Sequence, residues 1–428
     1  MKITGAEAVI ESLRKEQVQV VFGYPGGAVL SLYDALYRMK FPHILTGHEQ
    51  GAVHAADGYA RATGQVGVCF ATSGPGVCNM VTGIATANMD SIPLVVISGQ
   101  VATPLIGRDS FQEADISGIT TPITKHNYLV KRVQDLPRVL KEAFYIARSG
   151  RPGPVLVDVA KDVFDTPFDY EYPETVSLRG YQPLQEGREA EVSAALAALR
   201  QARRPLLMVG GGVVLSDTAE PLRQIVRDAS LPVVYTLMGK GAIPDDWEEN
   251  LGMAGMHGTW TANMAITQCD LLLTVGARFD DRVTGSVANF APKARIVHFD
   301  IDQVENQQDR PRGPECQRGS PHGPCRPSGK QAGRPVPFRR FQTRHLAPRK
   351  LQEMKSRSPG LGPVHSFGKR PVSPRWCWKM TAKKSRSGMP WWLRMWASTR
   401  CGRPSFIRFP KPHHFITSGG LGTMGYGL

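Results

Sequence analysis

A carboxylate in a position suited to ligand binding occurs in the stretch HEQGAVHAADGYAR, residues 48–61. Glu49 is predicted to stand where a strand ends and a helix begins, the edge at which α/β proteins bind their ligands. On chemistry alone, a favourable interaction with the helix dipole explains the same carboxylate. His48 and His54 have no third residue at metal-ligand spacing, so we expect no metal there and a packed or capped His54.

Glycine-rich turns follow three of the predicted strands, where backbone N–H groups can approach a phosphate. The turns are Tyr24-Pro25-Gly26-Gly27, Ser73-Gly74-Pro75-Gly76 and Gly210-Gly211-Gly212. The third turn does not satisfy GxGxxG and no GK[ST] lies near it, so the sequence does not support a Walker-type nucleotide site. A simple reversal of the chain and a contact with a phosphate or dinucleotide are both open interpretations of this turn.

The elements that position these residues alternate between helix and strand patterns over residues 1–164. Short, mostly apolar strands between helices predict a parallel sheet covered on both faces. Thr4 and Glu7 have the spacing of a capping box at the first helix. Predicted helices cover 4–16, about 28–38, 49–63 and the stretch from the second turn to about 87; predicted strands cover 18–22, 66–70, 93–98 and 154–159.

A second α/β unit is predicted over residues 187–305, with strands at 205–209, 232–236, 270–275 and 295–300. Residues 165–186 are polar, contain proline and lack periodicity, which is typical of a linker between domains. The predicted fold class is therefore α/β, with parallel sheets flanked by helices in each of two domains.

The net charge of +15 is concentrated in one block, residues 306–414, which holds 25 Lys and Arg and only three acids. The rest of the chain holds 27 basic and 34 acidic residues. The arginines of the block follow no helical stripe and its aliphatic residues are depleted, so we predict a segment that buries no core and binds no nucleic acid. The seven cysteines show no CxxC spacing and no run of 18 apolar residues occurs, so we expect neither a zinc site nor a membrane span.

Three motifs in the first predicted domain resemble the pyrimidine-binding domain of thiamine diphosphate enzymes that act on 2-oxo acids. They are YPGGA at 24–28, GHEQGAVHAADGYARATG at 47–64 and ATSGPGVCN at 71–79. Further motifs are similar to the acetolactate synthase family specifically: IGRDSFQEAD at 106–115, SGRPGPVLVDVAKDV at 149–163, and LGMAGMHGTWTANMA with VGARFDDRVTG within 251–285. The resemblance covers about 1–305 and 415–428.

The resemblance implies that Glu49 hydrogen-bonds N1′ of the cofactor's aminopyrimidine and performs acid/base catalysis through the cofactor. It implies that Gln112 and Lys161 act at the catalytic centre, with an amide donor and with a cation for the substrate carboxylate, and that Phe111 lines the approach. Ala160 stands where the family pattern leads us to expect proline. The implied contacts with thiamine diphosphate are made by Tyr24, Gly26, Gly27, Ala28, Glu49, Pro75 and Asn79.

The second domain resembles the Rossmann-like central domain of the same family, which implies bound FAD with a structural role rather than a net redox role. Without that resemblance, Arg278 and Arg282 would suit a surface ion-pair cluster with Asp280 and Asp281. The implied FAD contacts are Arg151, Gly210, Gly211, Met256, His257, Gly258, Gly276, Arg278, Arg282 and Asp300.

Back-translation predicts that residues 306 to about 409 are read out of frame. Reading the codons of residues 306–309 from the second base permits Ile-Asn-Lys-Ile, which restores a family-like VEINKI. Reading those of residues 392–401 from the third base permits VTDVGQHQMW, which is similar to the start of the diphosphate-binding domain. The printed frame returns at about Phe415, which implies at least three insertions or deletions.

Residues 415–428 resemble the stump of that third domain, with Gly419, Gly420 and Met424 as cofactor contacts. The printed sequence stops at Leu428, before the GDG…N motif that would hold Mg²⁺ and the diphosphate. We therefore expect the ligands of Mg²⁺ to be missing and the printed chain to be inactive.

The resemblance implies a transferase that condenses two pyruvates, or pyruvate with 2-oxobutyrate, with release of CO₂ in branched-chain amino acid biosynthesis. The expected partners are a second copy of the chain, as a homodimer or larger homo-oligomer, and a regulatory small subunit. No targeting signal is seen, so a cytoplasmic protein without membrane attachment is expected. Two alternatives stay open: another thiamine diphosphate-dependent decarboxylase or carboligase, and a non-catalytic basic binding protein.

Overall fold

The computed structural model describes residues 1–183, 189–302, 411–413 and 415–423 of the 428-residue chain. These residues form two compact units. The first contains residues 1–183 and 416–423, and the second contains residues 189–302, 411–413 and 415. The basic block 306–414 lies outside the described residues except for residues 411–413, so the prediction that it is out of frame and disordered stays a prediction.

The strands of the first unit are short and mostly apolar: β1 (Lys2–Thr4), β2 (Val21–Gly23), β3 (His43–Leu45), β4 (Gly67–Ala71), β5 (Leu94–Gln100), β6 (His126–Val130), β7 (Pro154–Ala160) and β8 (Pro167–Asp169). Six of them form a sheet in the order β3-β2-β4-β5-β7-β6, in which every neighbouring pair is parallel. Strands β4, β5 and β7 are buried along their whole length, as expected for the centre of a parallel sheet covered on both faces.

The helices of the first unit connect these strands: α1 (Gly5–Lys15), α2 (Leu30–Arg38), α3 (Glu49–Thr63), α4 (Pro75–Cys78), α5 (Val81–Asp90), α6 (Ile116–Thr120), α7 (Leu136–Arg148) and α8 (Lys161–Asp165). The apolar residues of α1, α2 and α7 share one core cluster with alternate residues of the sheet, such as Val95 and Ile97. Helices α3 and α5 pack against each other and α3 contacts β4 and β5, so this pair covers the other face.

Local signals account for the ends of two of these helices. The predicted capping box is confirmed at α1, where Glu7 N donates to Thr4 Oγ1 at 3.3 Å and Thr4 N donates to Glu7 Oε2 at 2.9 Å. Helix α3 has the predicted bounds and ends at Gly64, whose φ of +72° suits glycine. The helix predicted to continue to about residue 87 consists of the two helices α4 and α5.

The predicted linker is interrupted by a strand that sequence periodicity does not reveal. Strand β8 pairs antiparallel with β1, with Phe168 opposite Ile3. Both side chains are buried in the core of the first unit, which explains why residues 167–169 are held to it. The first unit therefore extends beyond β7 and includes α8 and β8.

The second unit contains the four predicted strands, as β9 (Pro205–Val209), β10 (Val233–Tyr235), β12 (Leu271–Val275) and β13 (Arg295–Phe299), and one strand that was not predicted, β11 (Asn250–Met253). Its helices are α9 (Glu189–Gln201), α10 (Gly211–Leu215), α11 (Ala219–Ala229), α12 (Trp260–Gln268) and α13 (Asp281–Thr284). Its sheet has the order β11-β10-β9-β12-β13, and all pairs are parallel. The chain moves outward in one direction from β9 and in the other direction from β12, so the strand order reverses between these two strands.

The structure therefore confirms the α/β class, with a parallel sheet flanked by helices in each unit. In the described parts of the chain, every helix falls short of the length or the hydropathy that a transmembrane segment needs.

Candidate functional site

The carboxylate of Glu49 lies at the carboxyl edge of the first sheet, at the first position of α3. His48 caps this helix, and its Nδ1 accepts a hydrogen bond from Gln50 N at 3.1 Å. The Glu49 residue is only 8% exposed, and Asn79 Nδ2 donates to its Oε2 at 2.9 Å. Among the described residues, Oε1 has no hydrogen-bond partner, so one oxygen is fixed and the other is available to a ligand.

Glycine at position 76 keeps backbone close to this carboxylate. A Cβ there would lie 3.4 Å from Glu49 Oε1 and 2.8 Å from Thr72 Cγ2. The turn after β4 therefore forms one wall of the space beside Oε1. Any side chain at position 76 would narrow this space. This fits a planar ring that hydrogen-bonds the carboxylate edge-on, as the aminopyrimidine of thiamine diphosphate would.

The turn after β2 packs against the same threonine. Ala28 N donates to Thr72 Oγ1 at 3.2 Å, and a Cβ on Gly26 would lie 2.5 Å from Thr72 Cβ. Gly27, in contrast, has open space within 4 Å, and Tyr24 is 41% exposed. The structure thus brings the first and second turns together beside Glu49, with Thr72 as the shared contact that sequence inspection did not single out.

Gln112 belongs to the long connection that follows β5. Its backbone has a φ of +59° and packs against the second turn, so that a Cβ on Gly74 would lie 2.5 Å from Gln112 O. The neighbouring Phe111 is 88% exposed, and Pro75 is exposed as well. Gln112 therefore adjoins the turn that carries Gly76, whereas the Phe111 ring extends away from the described protein.

A buried network that sequence analysis missed supports this connection. Gln100 Nε2 donates to Ala114 O at 3.1 Å and to Asp158 Oδ2 at 3.0 Å. Ser98 Oγ donates to Asp158 Oδ1 at 2.6 Å. Burial raises the pKa of Asp158 to about 6, because the ionised carboxylate is poorly solvated between β5 and β7.

The remaining predicted residues of the first unit lie apart from Glu49. Lys161 is exposed at the start of α8, at the same sheet edge but after β7 rather than β4. Arg151 precedes β7 at the opposite edge, where its Nε donates to Ser91 Oγ at 2.8 Å. His54 lies within α3, and burial lowers its pKa, as expected for the packed ring that we predicted.

The second unit carries its predicted residues on loops at the carboxyl edge of its sheet, around the reversal between β9 and β12. Gly210 N donates to Val275 O and Gly212 N donates to Gly276 O, both at 2.9 Å. A Cβ on Gly210 would lie 2.1 Å from Gly276 O, and Gly276 has a φ of +58°. These glycines let two backbone turns touch at the place where doubly wound sheets bind nucleotides, which fits a flavin dinucleotide.

Further predicted residues surround the same edge. Met256 N donates to Arg282 O at 2.8 Å, which joins the loop of Met256, His257 and Gly258 to the start of α13. Asp280 caps α13 and accepts hydrogen bonds from the backbone N–H groups of residues 282 and 283. The exposed Arg282 side chain lies 3.6 Å from Asp281, so the alternative interpretation as a surface ion pair describes part of this cluster.

Two other predicted contacts of the second unit follow its strands β12 and β13. Arg278 follows β12 and is partly buried, and Asp300 follows β13 with its carboxylate 3.7 Å from His298. Met424 lies outside the described residues. Within the described residues, no three His, Cys, Asp or Glu side chains are grouped as metal ligands.

Comparison with known families matches both units of the chain. Residues 3–119 match the model of the thiamine pyrophosphate enzyme N-terminal TPP binding domain, and residues 192–313 match that of the thiamine pyrophosphate enzyme central domain. The first match contains Glu49 and the second contains the glycine turns around the reversal of strand order.

Curated relatives extend the match along the chain. The acetolactate synthase of Mycobacterium leprae (strain TN) is 54% identical over 310 residues, which are 72% of this chain and 50% of that relative. This chain thus spans about half the length of that relative. The acetolactate synthase of Mycobacterium bovis is 44% identical over 441 residues, covering 100% of this chain and 68% of the relative. The acetolactate synthase isozyme 3 large subunit of Escherichia coli (strain K12) is 43% identical over 434 residues, covering 100% and 74%. The chain therefore belongs to the acetolactate synthase large-subunit family of thiamine diphosphate enzymes.

Proposed function

We propose that this chain contributes the pyrimidine-binding and flavin-binding domains of an acetolactate synthase. The proposed reaction condenses two pyruvates, or pyruvate with 2-oxobutyrate, and releases CO₂. The observation that carries the proposal is the environment of Glu49, a buried carboxylate with one oxygen held by Asn79 and the other beside the glycine wall at position 76.

Glu49 acts in this proposal by holding a proton at a ring nitrogen of the cofactor. Asn79 fixes Oε2 and so directs Oε1 at the ligand. The Glu49 side chain therefore loses little further rotational freedom when the ligand binds. When bound, thiamine diphosphate supplies the carbanion chemistry that amino acid side chains lack. Gln112, on the adjoining connection, offers an amide to the substrate, and Lys161 at the same sheet edge offers a cation to its carboxylate.

The second unit is proposed to hold FAD as a structural group. The support is the pair of glycine turns, in which a side chain at Gly210 or Gly276 would meet backbone atoms. In addition, Arg278 and Arg282 follow β12 at the same edge, where cations can neutralise the pyrophosphate. Mg²⁺ is proposed to bind in the diphosphate-binding domain of the complete enzyme, not through residues of these two units.

A second copy of the chain is the proposed partner for catalysis. Gly419 and Gly420, which resemble cofactor contacts, hydrogen-bond Asp90, beside Arg61 near the end of α3. Arg61 lies twelve positions after Glu49 on α3, which corresponds to about 18 Å along the helix axis. A cofactor held at these glycines thus lies far from Glu49 of its own chain, which supports a homo-oligomer with composite sites. A regulatory small subunit is a further proposed partner, and the cytoplasm is the proposed location.

We further propose that residues 306 to about 409 are read out of frame, on the strength of the two back-translations. Because the start of the diphosphate-binding domain falls inside that block, the chain in its printed frame is proposed to be inactive. Resequencing the DNA for residues 302–419 and the bases beyond residue 428 tests this directly. One continuous frame through VEINKI and VTDVGQHQMW would identify a faulty sequence record of a working enzyme. Confirmation of the bases that encode the printed residues would identify a decayed or truncated gene product instead.

The frame-corrected chain includes the residues that the corrected frame encodes beyond residue 428, where the Mg²⁺ ligands are expected, and the product that it forms tests the proposed activity. With pyruvate, thiamine diphosphate, Mg²⁺ and FAD, we expect acetolactate and CO₂ in equal amounts. Acetaldehyde in place of acetolactate would identify a decarboxylase and overturn the proposal. The matched control is the chain in its printed frame, which should retain FAD through the second unit and form no acetolactate. If neither chain turns over pyruvate but the chain in its printed frame, which alone carries the basic block 306–414, binds nucleic acid with a steep salt dependence, the basic binding protein is the better description.

A further inference from the structure

A buried cluster of charged residues lies at the end of α3 that is remote from Glu49. Arg61 Nε donates to Asp57 Oδ2 at 2.8 Å, and Arg61 Nη2 donates to Asp90 Oδ2 at 2.9 Å. The side chains of both aspartates are 0% exposed and that of Arg61 is 6% exposed. The cluster joins α3 to α5 and takes no part in the site around Glu49.

The backbone of residues 417–420 completes this cluster. Arg61 Nη1 donates to Thr417 O at 2.8 Å, and Asp90 accepts from Gly419 N at 2.8 Å and from Gly420 N at 2.6 Å. The two carboxylate oxygens of Asp90 thus each bind one consecutive backbone N–H. All of these contacts lie within the first unit.

Burial explains why Asp90 binds a backbone turn. The carboxylates of Asp57 and Asp90 both contact the guanidinium of Arg61, and the side chains of both aspartates are 0% exposed. A buried carboxylate is costly unless hydrogen-bond donors satisfy its oxygens, and two adjacent N–H groups do so without adding a charge. The turn lies close to α5, because a Cβ at Gly420 would lie 3.0 Å from Asp90 Oδ1 and from Met89 Cβ, which a shift of a few tenths of an ångström accommodates.

Two threonines extend the contact beyond the charged groups. The hydroxyls of Thr86 and Thr423 lie 2.5 Å apart, and both residues are buried. Thr423 N donates to Ser418 Oγ at 3.0 Å, which closes the segment into a compact turn. Recognition therefore uses backbone groups and small hydroxyl residues, in a sequence of the type Thr-Ser-Gly-Gly followed by Thr.

We propose that Asp57, Arg61 and Asp90, with Thr86, form a docking site for a glycine turn, and that its occupant is residues 417–423 of the same chain. The site fastens the polypeptide that follows residue 416 to the first domain. Every contact joins residues of the first unit that lie remote from Glu49, although Gly419 and Gly420 are also among the proposed cofactor contacts. The disulfide trap below is read out without acetolactate formation, so its failure is distinguishable from failure of the proposed activity.

A disulfide trap in the full chain tests this docking. Met89 is 39% exposed and Gly420 is exposed, and the 3.0 Å between the Cβ positions is within about half an ångström of disulfide geometry. Met89→Cys and Gly420→Cys are introduced together and mild oxidant is added. Buried Cys69 and Cys269 are retained, and serine replaces Cys78, Cys316, Cys325, Cys377 and Cys401.

The expected result is a disulfide within one chain, seen as a linked peptide pair by mass spectrometry and as a monomer on non-reducing gels. The matched control pairs Gly420→Cys with Lys15→Cys, which is exposed on α1 at the other face of the sheet and should form no link. A disulfide between two chains would assign the occupant to a second copy and overturn the proposal. Absence of a link, or equal linkage in the control, would overturn it as well.

A second measurement tests whether the rate of disulfide formation depends on the charge of Asp90. Asp90→Asn replaces one acceptor oxygen by a donor that faces Gly419 N or Gly420 N, so we expect the rate of disulfide formation to fall about tenfold or more. Asp135→Asn, which removes a partner of Arg132 and Arg138 elsewhere in the domain, should leave the rate unchanged. If D90N misfolds, amide hydrogen exchange on the unmodified chain decides: protection of residues 419–420 supports the docking, and exchange at the rate of a free peptide contradicts it.

Discussion

Asn79 Nδ2 donates to Glu49 Oε2 at 2.9 Å across two elements that are 30 residues apart in the chain. The bond joins the end of α4 to the start of α3, so the carboxylate that we assign to acid/base catalysis is held from the neighbouring helix. Its orientation thus depends on the turn after β4 as well as on its own helix.

Replacing Asn79 by alanine should slow acetolactate formation by the frame-corrected chain. The loss of a hydrogen bond to a carboxylate is worth about 1.5–3 kcal/mol, so kcat should fall roughly 10- to 100-fold. Asn127→Ala is the matched control, because Asn127 lies on β6 and its Nδ2 donates to Ser117 O on α6 rather than to Glu49. An N79A enzyme with the parental kcat would show that Asn79 does not position Glu49.

The glycine wall beside Glu49 predicts a difference between two alanine variants. Gly76→Ala places a Cβ 2.8 Å from Thr72 Cγ2, so overpacking should lower the free energy of unfolding by about 1–3 kcal/mol. Gly27→Ala meets nothing within 4 Å and should change stability by less than about 0.5 kcal/mol. Urea unfolding followed by circular dichroism measures both, and equal stabilities of the two variants would contradict the packing described here.

The flavin site predicts a second glycine pair. Gly276 and Gly285 both have a φ of +58°, so alanine costs backbone strain at each. Only at Gly276 would a Cβ also lie 2.7 Å from Gly212 Cα, whereas Gly285 has open space. Gly276→Ala should therefore cost roughly 1–3 kcal/mol more than Gly285→Ala and reduce the FAD retained on purification. Equal FAD content in both variants would show that the turn at Gly276 does not contribute to FAD binding.

Asp158 predicts a pH dependence of stability. Its folded pKa is raised to about 6 by burial, above an unfolded value of about 3.9, so the folded state binds the extra proton between these values. Stability should then fall as the pH rises from about 4 to 6, by an amount on the order of 3 kcal/mol, and stay level above pH 6. D158N should remove this slope from urea unfolding measured at pH 4–8, whereas E174Q at an exposed position should retain it.

Local sequence signals predicted the central elements well and the edge elements poorly. Helix α3 was predicted over its observed range, because its apolar periodicity ends at Gly64 and begins at a polar cap. Strands β3 and β6 were missed because they are edge strands with partly exposed residues, so they lack the apolar run that marks β4 or β5. Strand β8 was assigned to the linker, since three residues that pair with β1 show no period of their own.

The functional residues also divide into those that a local sequence pattern predicts and those that it does not. Glu49 could be placed from the change of pattern at a strand end, and the pairing of Asp57 with Arg61 is readable as an i, i+4 spacing. The contact of Arg61 with Thr417 spans 356 residues, and that of Ser98 with Asp158 spans 60. Such buried pairs leave no local pattern, because only the packing of helices and strands brings their members together.

The most direct test of the central claim is acetolactate formation by the frame-corrected chain with Glu49→Gln, compared with the parental residue at the same FAD content. Glutamine keeps the size of the side chain and its contact with Asn79 but cannot exchange a proton. The account predicts a loss of about 10²- to 10⁴-fold in kcat, with FAD still bound. A variant that forms acetolactate within tenfold of the parental rate would contradict the assignment of Glu49 as the catalytic acid/base.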